Sequence, residues 1–266
     1  MNTNIPAPCI GVFDSGVGGL TVLRELQRQA PSVPLHYVAD AAYAPYGERT
    51  ADEIIDRSLR LSEHLLAQGA AVLVVACNTA TAHAIHALRE RWPLLPIVGT
   101  EPGIKPAVAV TRNGRIGVLS TPATIASARY KSLLSRHSGT AQVTSQPCPG
   151  LADLIEKGDF ESPFLNAALE CFCAPLRAAG VDTVLMGCTH YPLIQQQIQA
   201  AMGSDVQLLN IETAVARQAL SCWRELGLAT VAAPIILEAT GDVAPFSRFA
   251  RRALKWAGVE ARLLMA

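Results

Sequence analysis

Short, fully apolar runs alternate with amphipathic stretches along almost the whole chain. Cys9 to Phe13, Leu35 to Ala39, Ala71 to Ala76 and Pro96 to Val98 read as buried strands. Leu20 to Gln29, Ala51 to Gln68 and Thr79 to Arg91 read as helices between them, with Ile54, Ile55, Leu59, Leu61, Leu65 and Leu66 forming one apolar face of the longest. The pattern restarts at Gly114. Arg115 to Leu119, Gln142 to Ser145, Thr183 to Met186 and Gln207 to Leu209 are strand-like. Thr121 to Ser135, Leu151 to Ile155, Ser162 to Ala179 and Pro192 to Met202 are helix-like. Helices over Glu212 to Leu226 and Phe246 to Trp256, with strand-like Ile235 to Glu238 and Ala261 to Leu264, complete the chain. Continuous apolar strands separated by helices predict parallel sheets covered on both faces, an α/β fold.

Two segments repeat one design. Ala71-Val72-Leu73-Val74-Val75-Ala76-Cys77-Asn78-Thr79 matches Asp182-Thr183-Val184-Leu185-Met186-Gly187-Cys188-Thr189-His190, and the cysteines lie 111 positions apart. Ile10-Gly11-Val12-Phe13-Asp14-Ser15 echoes Ile116-Gly117-Val118-Leu119-Ser120-Thr121 at an offset of 106. The spacing predicts two pseudo-symmetric lobes, each with a mainly parallel sheet flanked by helices. Residues 1–99 with 211–266 would form the first and 100–210 the second. Gly99-Thr100-Glu101-Pro102-Gly103 is the expected crossover, with a return near Asn210.

Composition narrows the class of function. Of 266 residues, 50% are apolar and 17% charged, and Lys+Arg and Asp+Glu both total 22. Zero net charge gives no global argument for nucleic-acid or membrane partners, and neither is expected. Arg248, Arg251, Arg252 and Lys255 read as the wet face of a C-terminal helix. Met1 to Pro8 has no signal-peptide pattern, and no apolar run reaches the roughly 18 to 20 residues of a spanning helix. Seven cysteines without disulfide or zinc spacing fit a reducing, cytoplasmic setting.

Ligands of open parallel sheets sit beyond the carboxyl ends of the strands. Asp14-Ser15, Cys77-Asn78-Thr79 and Cys188-Thr189-His190 follow predicted strands directly and should converge on one cleft. A free thiol is only a few per cent thiolate near neutral pH, so it needs help to act as a base. Each cysteine precedes a helix whose N-terminal amides favour an anion. Asp14 and His190 are the natural acid/base assistants. A pair of opposed thiols suits a reaction in which one face of a carbon loses a proton and the other gains one. The glycines of Asp14-Ser15-Gly16-Val17-Gly18-Gly19 fit neither the Walker nor the dinucleotide pattern, and read as permitting backbone approach to a small anionic ligand. His83 and His86 lack companion ligands, so no metal is assigned. Cys9, Cys148, Cys171, Cys173 and Cys222 lack the strand-to-polar-turn context.

These motifs, with Pro45-Tyr46-Gly47, Gly187-Cys188-Thr189-His190-Tyr191-Pro192-Leu193 and Thr240-Gly241-Asp242, resemble the glutamate racemase family from about Ile10 to Phe249. The resemblance implies cofactor-independent interconversion of L- and D-glutamate, supplying D-glutamate for bacterial peptidoglycan. Cys77 would deprotonate D-glutamate and Cys188 L-glutamate. Asp14 would assist Cys77, and His190 with Glu156 would assist Cys188. Ser15, Tyr46, Gly47, Asn78, Thr79 and Thr189 match substrate-contacting positions. Thr121 and Thr124 match less cleanly, because the family usually has glycine where Ser120 stands. No cofactor is expected, and a homodimer is allowed but not specified. Two competitors stay open. One is a racemase for aspartate or another amino acid, against which His190 and Tyr46 argue. The other is a non-catalytic clamp for a small amino acid, against which the matched thiols argue.

Overall fold

The computed structural model describes residues 7–230, 234–255 and 260–265. Its strands are β1 (Cys9–Asp14), β2 (Leu35–Ala39), β3 (Ala70–Val75), β4 (Ile97–Gly99), β5 (Arg115–Ser120), β6 (Gln142–Pro147), β7 (Thr183–Gly187), β8 (Gln207–Leu209), β9 (Ile236–Ala239) and β10 (Arg262–Leu263). They form a sheet in the order β10-β9-β2-β1-β3-β4 and a second in the order β6-β5-β7-β8. Every pairing is parallel. The order β2-β1-β3-β4 recurs as β6-β5-β7-β8, so the sequence echo is a repeat of topology. In that repeat β3 and β7 are equivalent strands.

Burial explains the apolar runs. Every residue of β1 and β2 is buried, because helices cover both faces of the first sheet. Ile10 and Val12 pack on one face with Leu23, Leu26 and Trp223, while Cys9 and Phe13 pack on the other with Ile54, Leu61 and Leu65. The second sheet is likewise sandwiched: Val184 and Met186 face Leu151 and Leu176, and Leu185 faces Ile104 and Tyr130. β6 is only half-buried at its edge, which accounts for its polar sequence.

Three expectations need correction. The helix expected over Thr121 to Ser135 is two helices, Pro122–Ala126 and Ala128–His137. Ser127 breaks it by adopting extended backbone and accepting the Tyr130 amide at 3.1 Å, an N-cap placed inside an apolar period. The segment Tyr191–Ile194 is a 3-10 turn before the helix Gln195–Met202, since Pro192 and the preceding loop keep the chain tight. A short helix, Ile104–Val110, was not anticipated; it carries Pro106 within its first turn, where the missing N–H costs nothing. The C-terminal helix is Val243–Leu254, and Trp256 lies outside the described residues, as do Met1 to Pro6 of the N-terminal reading. Arg248, Arg252 and Lys255 are exposed and Arg251 half-buried on that helix, as a wet face requires. Among the described residues no helix is long and apolar enough to cross a membrane.

Candidate active site

Asp14 ends β1, Cys77 follows β3 by two residues and Cys188 follows β7 by one, so all three stand at carboxyl ends of strands. In the order β2-β1-β3 the chain leaves β1 in opposite directions, and the crevice between β1 and β3 is the place where such sheets hold ligands. The crevice between β5 and β7 is its counterpart in the second sheet. Residues from the two crevices bond directly. Thr189 Oγ1 donates to Asp14 Oδ1 at 3.2 Å, and the Val17 amide donates to Glu156 Oε1 at 2.8 Å. Thr79 Oγ1 lies 2.9 Å from Thr121 Oγ1 and 3.3 Å from Thr124 Oγ1, closing a triangle of buried hydroxyls. Cys77 and Cys188 are 5% and 6% exposed, so both thiols are shut off from bulk water.

The two thiols have different company. Cys77 is the N-cap of the helix Asn78–Arg91, and its sulfur accepts the Ala80 amide at 3.4 Å. Its thiol donates to Ser15 Oγ at 3.7 Å. Burial pushes the Cys77 pKa well up; the Asp14 carboxylate and the charge on Cys188 raise it further, against the opposing Ala80 and Ser15 hydrogen bonds. Cys188 Sγ instead lies 3.6 Å from His190 Nδ1, and His190 Nε2 lies 2.6 Å from Glu156 Oε1. Burial opposes a charge on His190, but Cys188 and Glu156 outweigh it and hold the imidazole pKa well above its ordinary range. Asp14 is fully buried, and desolvation raises its pKa against the pull of His190 and of the Gly16 amide. Its carboxylate bonds the Gly16 amide at 2.8 Å and the Thr189 hydroxyl; Ser15, not Asp14, is the hydrogen-bond partner of Cys77.

The glycine turn has a role that spacing alone did not reveal. The anion that the backbone approaches at Gly16 to Gly18 is the carboxylate of Glu156. A Cβ on Gly16 would sit inside the Glu156 carboxyl group, and one on Gly18 would lie 2.4 Å from His190 Nδ1. Ser120, where the family usually has glycine, is accommodated: its hydroxyl donates to the Gly187 carbonyl at 2.7 Å and ties β5 to β7.

The remaining residues also gather here. Asn78 is 2% exposed and its Nδ2 donates to the Thr100 carbonyl at 3.3 Å, which fixes the amide orientation. Its Oδ1 then points away as a buried acceptor with no partner among the described residues. The Tyr46 hydroxyl donates to Asp40 Oδ2 at 2.5 Å, and Gly47 packs beside the Thr121 side chain. Asp40 was missed by sequence reasoning. It accepts two bonds from Arg57, at 2.9 and 2.8 Å, and one from Thr240 at 2.9 Å, so with Tyr46 three side chains anchor one carboxylate. His83 bonds the Ala123 carbonyl at 3.1 Å and His86 lies 3.2 Å from Arg129, both structural contacts. All seven cysteines are unpaired. A cavity of about 690 Å³ lined by Arg89, Glu101, Pro102, Lys105 and Asn210 lies at the two crossovers; it contains neither thiol, and its lining offers no acid/base pair comparable to the crevice.

The profile of the Asp/Glu/hydantoin racemase family matches residues 10–219. The chain belongs to that family. A glutamate racemase of Ectopseudomonas mendocina is 50% identical over 209 residues, 79% of this chain and 80% of the relative. Among solved racemase structures, a glutamate racemase of Bacillus anthracis superposes with a TM-score of 0.86 at 34% identity, covering 97% of each chain. The Escherichia coli glutamate racemase, solved with L-glutamate and the activator UDP-MurNAc-Ala, gives 0.84 at 30% identity, over 97% of this chain and 98% of that one. This chain is therefore an amino-acid racemase with the α/β fold of the glutamate racemases.

Proposed function

We propose that this racemase interconverts L-glutamate and D-glutamate with two cysteines and no cofactor, supplying D-glutamate for peptidoglycan. The observation that carries the reading is the placement of Cys77 and Cys188. They end equivalent strands of the two repeats, and they lie close enough that charge on one raises the cost of charge on the other. The names of the relatives supply the substrate. We assign 1–99 with 211–266 to one lobe and 100–210 to the other, a division supported by sheet membership.

From L-glutamate, the Cys188 thiolate takes the Cα proton and the freed electron pair spreads into the α-carboxylate. The Cys77 thiol then delivers its proton to the opposite face. The product is D-glutamate, Cys188 is left as thiol and Cys77 as thiolate, and proton exchange of both groups with solvent between turnovers restores the start. Holding base and substrate in attack geometry supplies on the order of 7 to 11 kcal/mol of the barrier reduction. Each hydrogen bond aimed at the developing carboxylate charge adds about 3 kcal/mol. Ser15, Thr79, Thr121, Thr124 and Thr189, with the Tyr46-Gly47 backbone, surround the crevice and are assigned to the two carboxylates. The unpartnered Asn78 Oδ1 is assigned to the ammonium. Asp14 acts on Cys77 through its charge, which makes the Cys77 thiolate a stronger base once formed, and His190 with Glu156 acts on Cys188. Because both thiols are covered, glutamate enters only when the Thr79–Thr121 and Val17–Glu156 contacts part. Closure then excludes water from the carbanion-like intermediate. Free thiols suit a reducing compartment, and we place the enzyme in the cytoplasm.

The test is incubation of each glutamate enantiomer in deuterated water, followed by polarimetry and by loss of the Cα proton signal. Racemization with deuterium incorporation is expected. Binding without exchange would reduce the protein to a clamp, and faster exchange of aspartate than of glutamate would change the substrate.

A further inference from the structure

On the first sheet, away from the crevice, three side chains converge from three elements. His36 is the second residue of β2, Glu238 the third of β9, and His64 lies in the last turn of the helix Ala51–Ala67. The strand register pairs His36 with Ile236 and Val38 with Glu238, which puts His36 and Glu238 on the face that this helix covers. His36 Nε2 lies 2.8 Å from Glu238 Oε2, and His64 Nε2 lies 2.5 Å from the same oxygen. His36 is 2% exposed, whereas the side chains of His64 and Glu238 are 21% and 15% exposed. Two imidazoles thus aim the same ring nitrogen at one carboxylate at the edge of solvent, on backbone fixed by sheet and helix hydrogen bonds.

We propose that His36, His64 and Glu238 form a binding site for a divalent transition-metal ion, zinc before others. Two imidazole nitrogens and one carboxylate oxygen are a zinc donor set, with water from the solvent side as the fourth ligand. The three donor atoms already lie within 4.8 Å of one another. Tetrahedral coordination at zinc–ligand distances of about 2.1 Å separates donors by about 3.4 Å, so Glu238 must draw back by about 0.6 Å from His36 and about 0.9 Å from His64. Its partial exposure leaves room for that. His36 Nδ1 has no hydrogen-bond partner among the described residues, so the site lacks the outer acceptor that ordinarily strengthens a histidine ligand, and micromolar binding is expected. The ion would clamp β9 to β2 and to the helix Ala51–Ala67. This site is independent of the racemase reading, because none of its residues touches Cys77 or Cys188.

The experiment uses the full chain stripped with a chelator. Calorimetric titration with Zn²⁺ should show one ion per chain. At a hundredfold excess over Kd the thermal midpoint should rise by roughly 5 °C. Cobalt substitution should give tetrahedral visible bands without the near-ultraviolet thiolate charge-transfer band, and zinc X-ray absorption should show two imidazoles and no sulfur. His64→Gln and Glu238→Gln, both at half-buried positions, should each weaken binding at least tenfold with unchanged circular dichroism. Absence of binding at millimolar Zn²⁺ overturns the proposal. So does a thiolate signature in wild type, which would put the ion on cysteine. The wild-type spectra decide the matter even if a variant fails to fold.

Discussion

The surroundings of Cys77 and Cys188 differ in charge although the strands before them are equivalent. Burial and a facing carboxylate favour the thiol form of Cys77, against the hydrogen bonds of Ser15 and Ala80. Cys188 faces an imidazole that Glu156 helps to hold in its charged form. In the proposed mechanism, a reaction that must work in both directions is carried by a site that is not symmetric. Topological repetition placed two thiols, and divergence in the adjoining loops gave one an anionic and the other a cationic neighbour. The difference identifies which residues to alter to disturb one half-reaction at a time.

Removal of either thiol should have the largest effect. Cys77→Ala and Cys188→Ala should each lower racemization by at least about 10³-fold. Their folded stability should change by only about 1 kcal/mol. Wild-type turnover in either alanine variant would remove that cysteine from the mechanism. The next largest effects should fall on the helpers. His190→Asn should slow proton abstraction from L-glutamate by about 10²-fold and Asp14→Asn that from D-glutamate by a similar factor. Primary isotope effects with Cα-deuterated substrate in each direction measure this. Equal rises in both directions for both variants would mean that these residues organise the crevice without serving particular thiols.

A smaller, one-sided effect should follow from crowding the imidazole. Gly18→Ala puts a methyl 2.4 Å from His190 Nδ1, and the ring must move. About a tenfold loss with L-glutamate and a stability cost of about 1 to 3 kcal/mol are expected, read by kinetics and by urea unfolding. Symmetric kinetics would show that the His190 ring absorbs the methyl without losing Cys188.

The smallest effect concerns pH. The pKa of His190 is raised on folding, so its contribution to stability is full below its ordinary value of about 6.5 and fades as pH rises through the raised folded value. The stability difference between wild type and His190→Asn should therefore shrink toward alkaline pH. A difference that grows instead would mean that the imidazole is neutral in the folded protein.

Strand positions were legible because parallel strands buried on both faces must be continuously apolar, as in β1 and β3. The cysteines stand out in the sequence because polar residues follow them where core would otherwise continue. The break at Ser127 does not, since a serine inside an apolar period carries no signal until its hydroxyl finds the Tyr130 amide. Asp40 and Arg57, and likewise His36, His64 and Glu238, are joined only by the fold. The bond between His36 and Glu238 spans 202 residues, which no local pattern can announce.

That long separation bears on how the chain is made. In the finished sheet β2 has β1 on one side and β9 on the other. During synthesis β9 emerges only after all four strands of the second sheet, so β2 waits with one row of amides and carbonyls unpaired. Such an edge is a template for wrong pairing, and its sequence is fully buried in the end state, so little charge protects it. A nascent chain that pairs β2 with β1 before β9 emerges would expose this edge for as long as the inserted repeat takes to translate. Expression temperature and chaperone supply should govern yield more than the stability of the mature enzyme does.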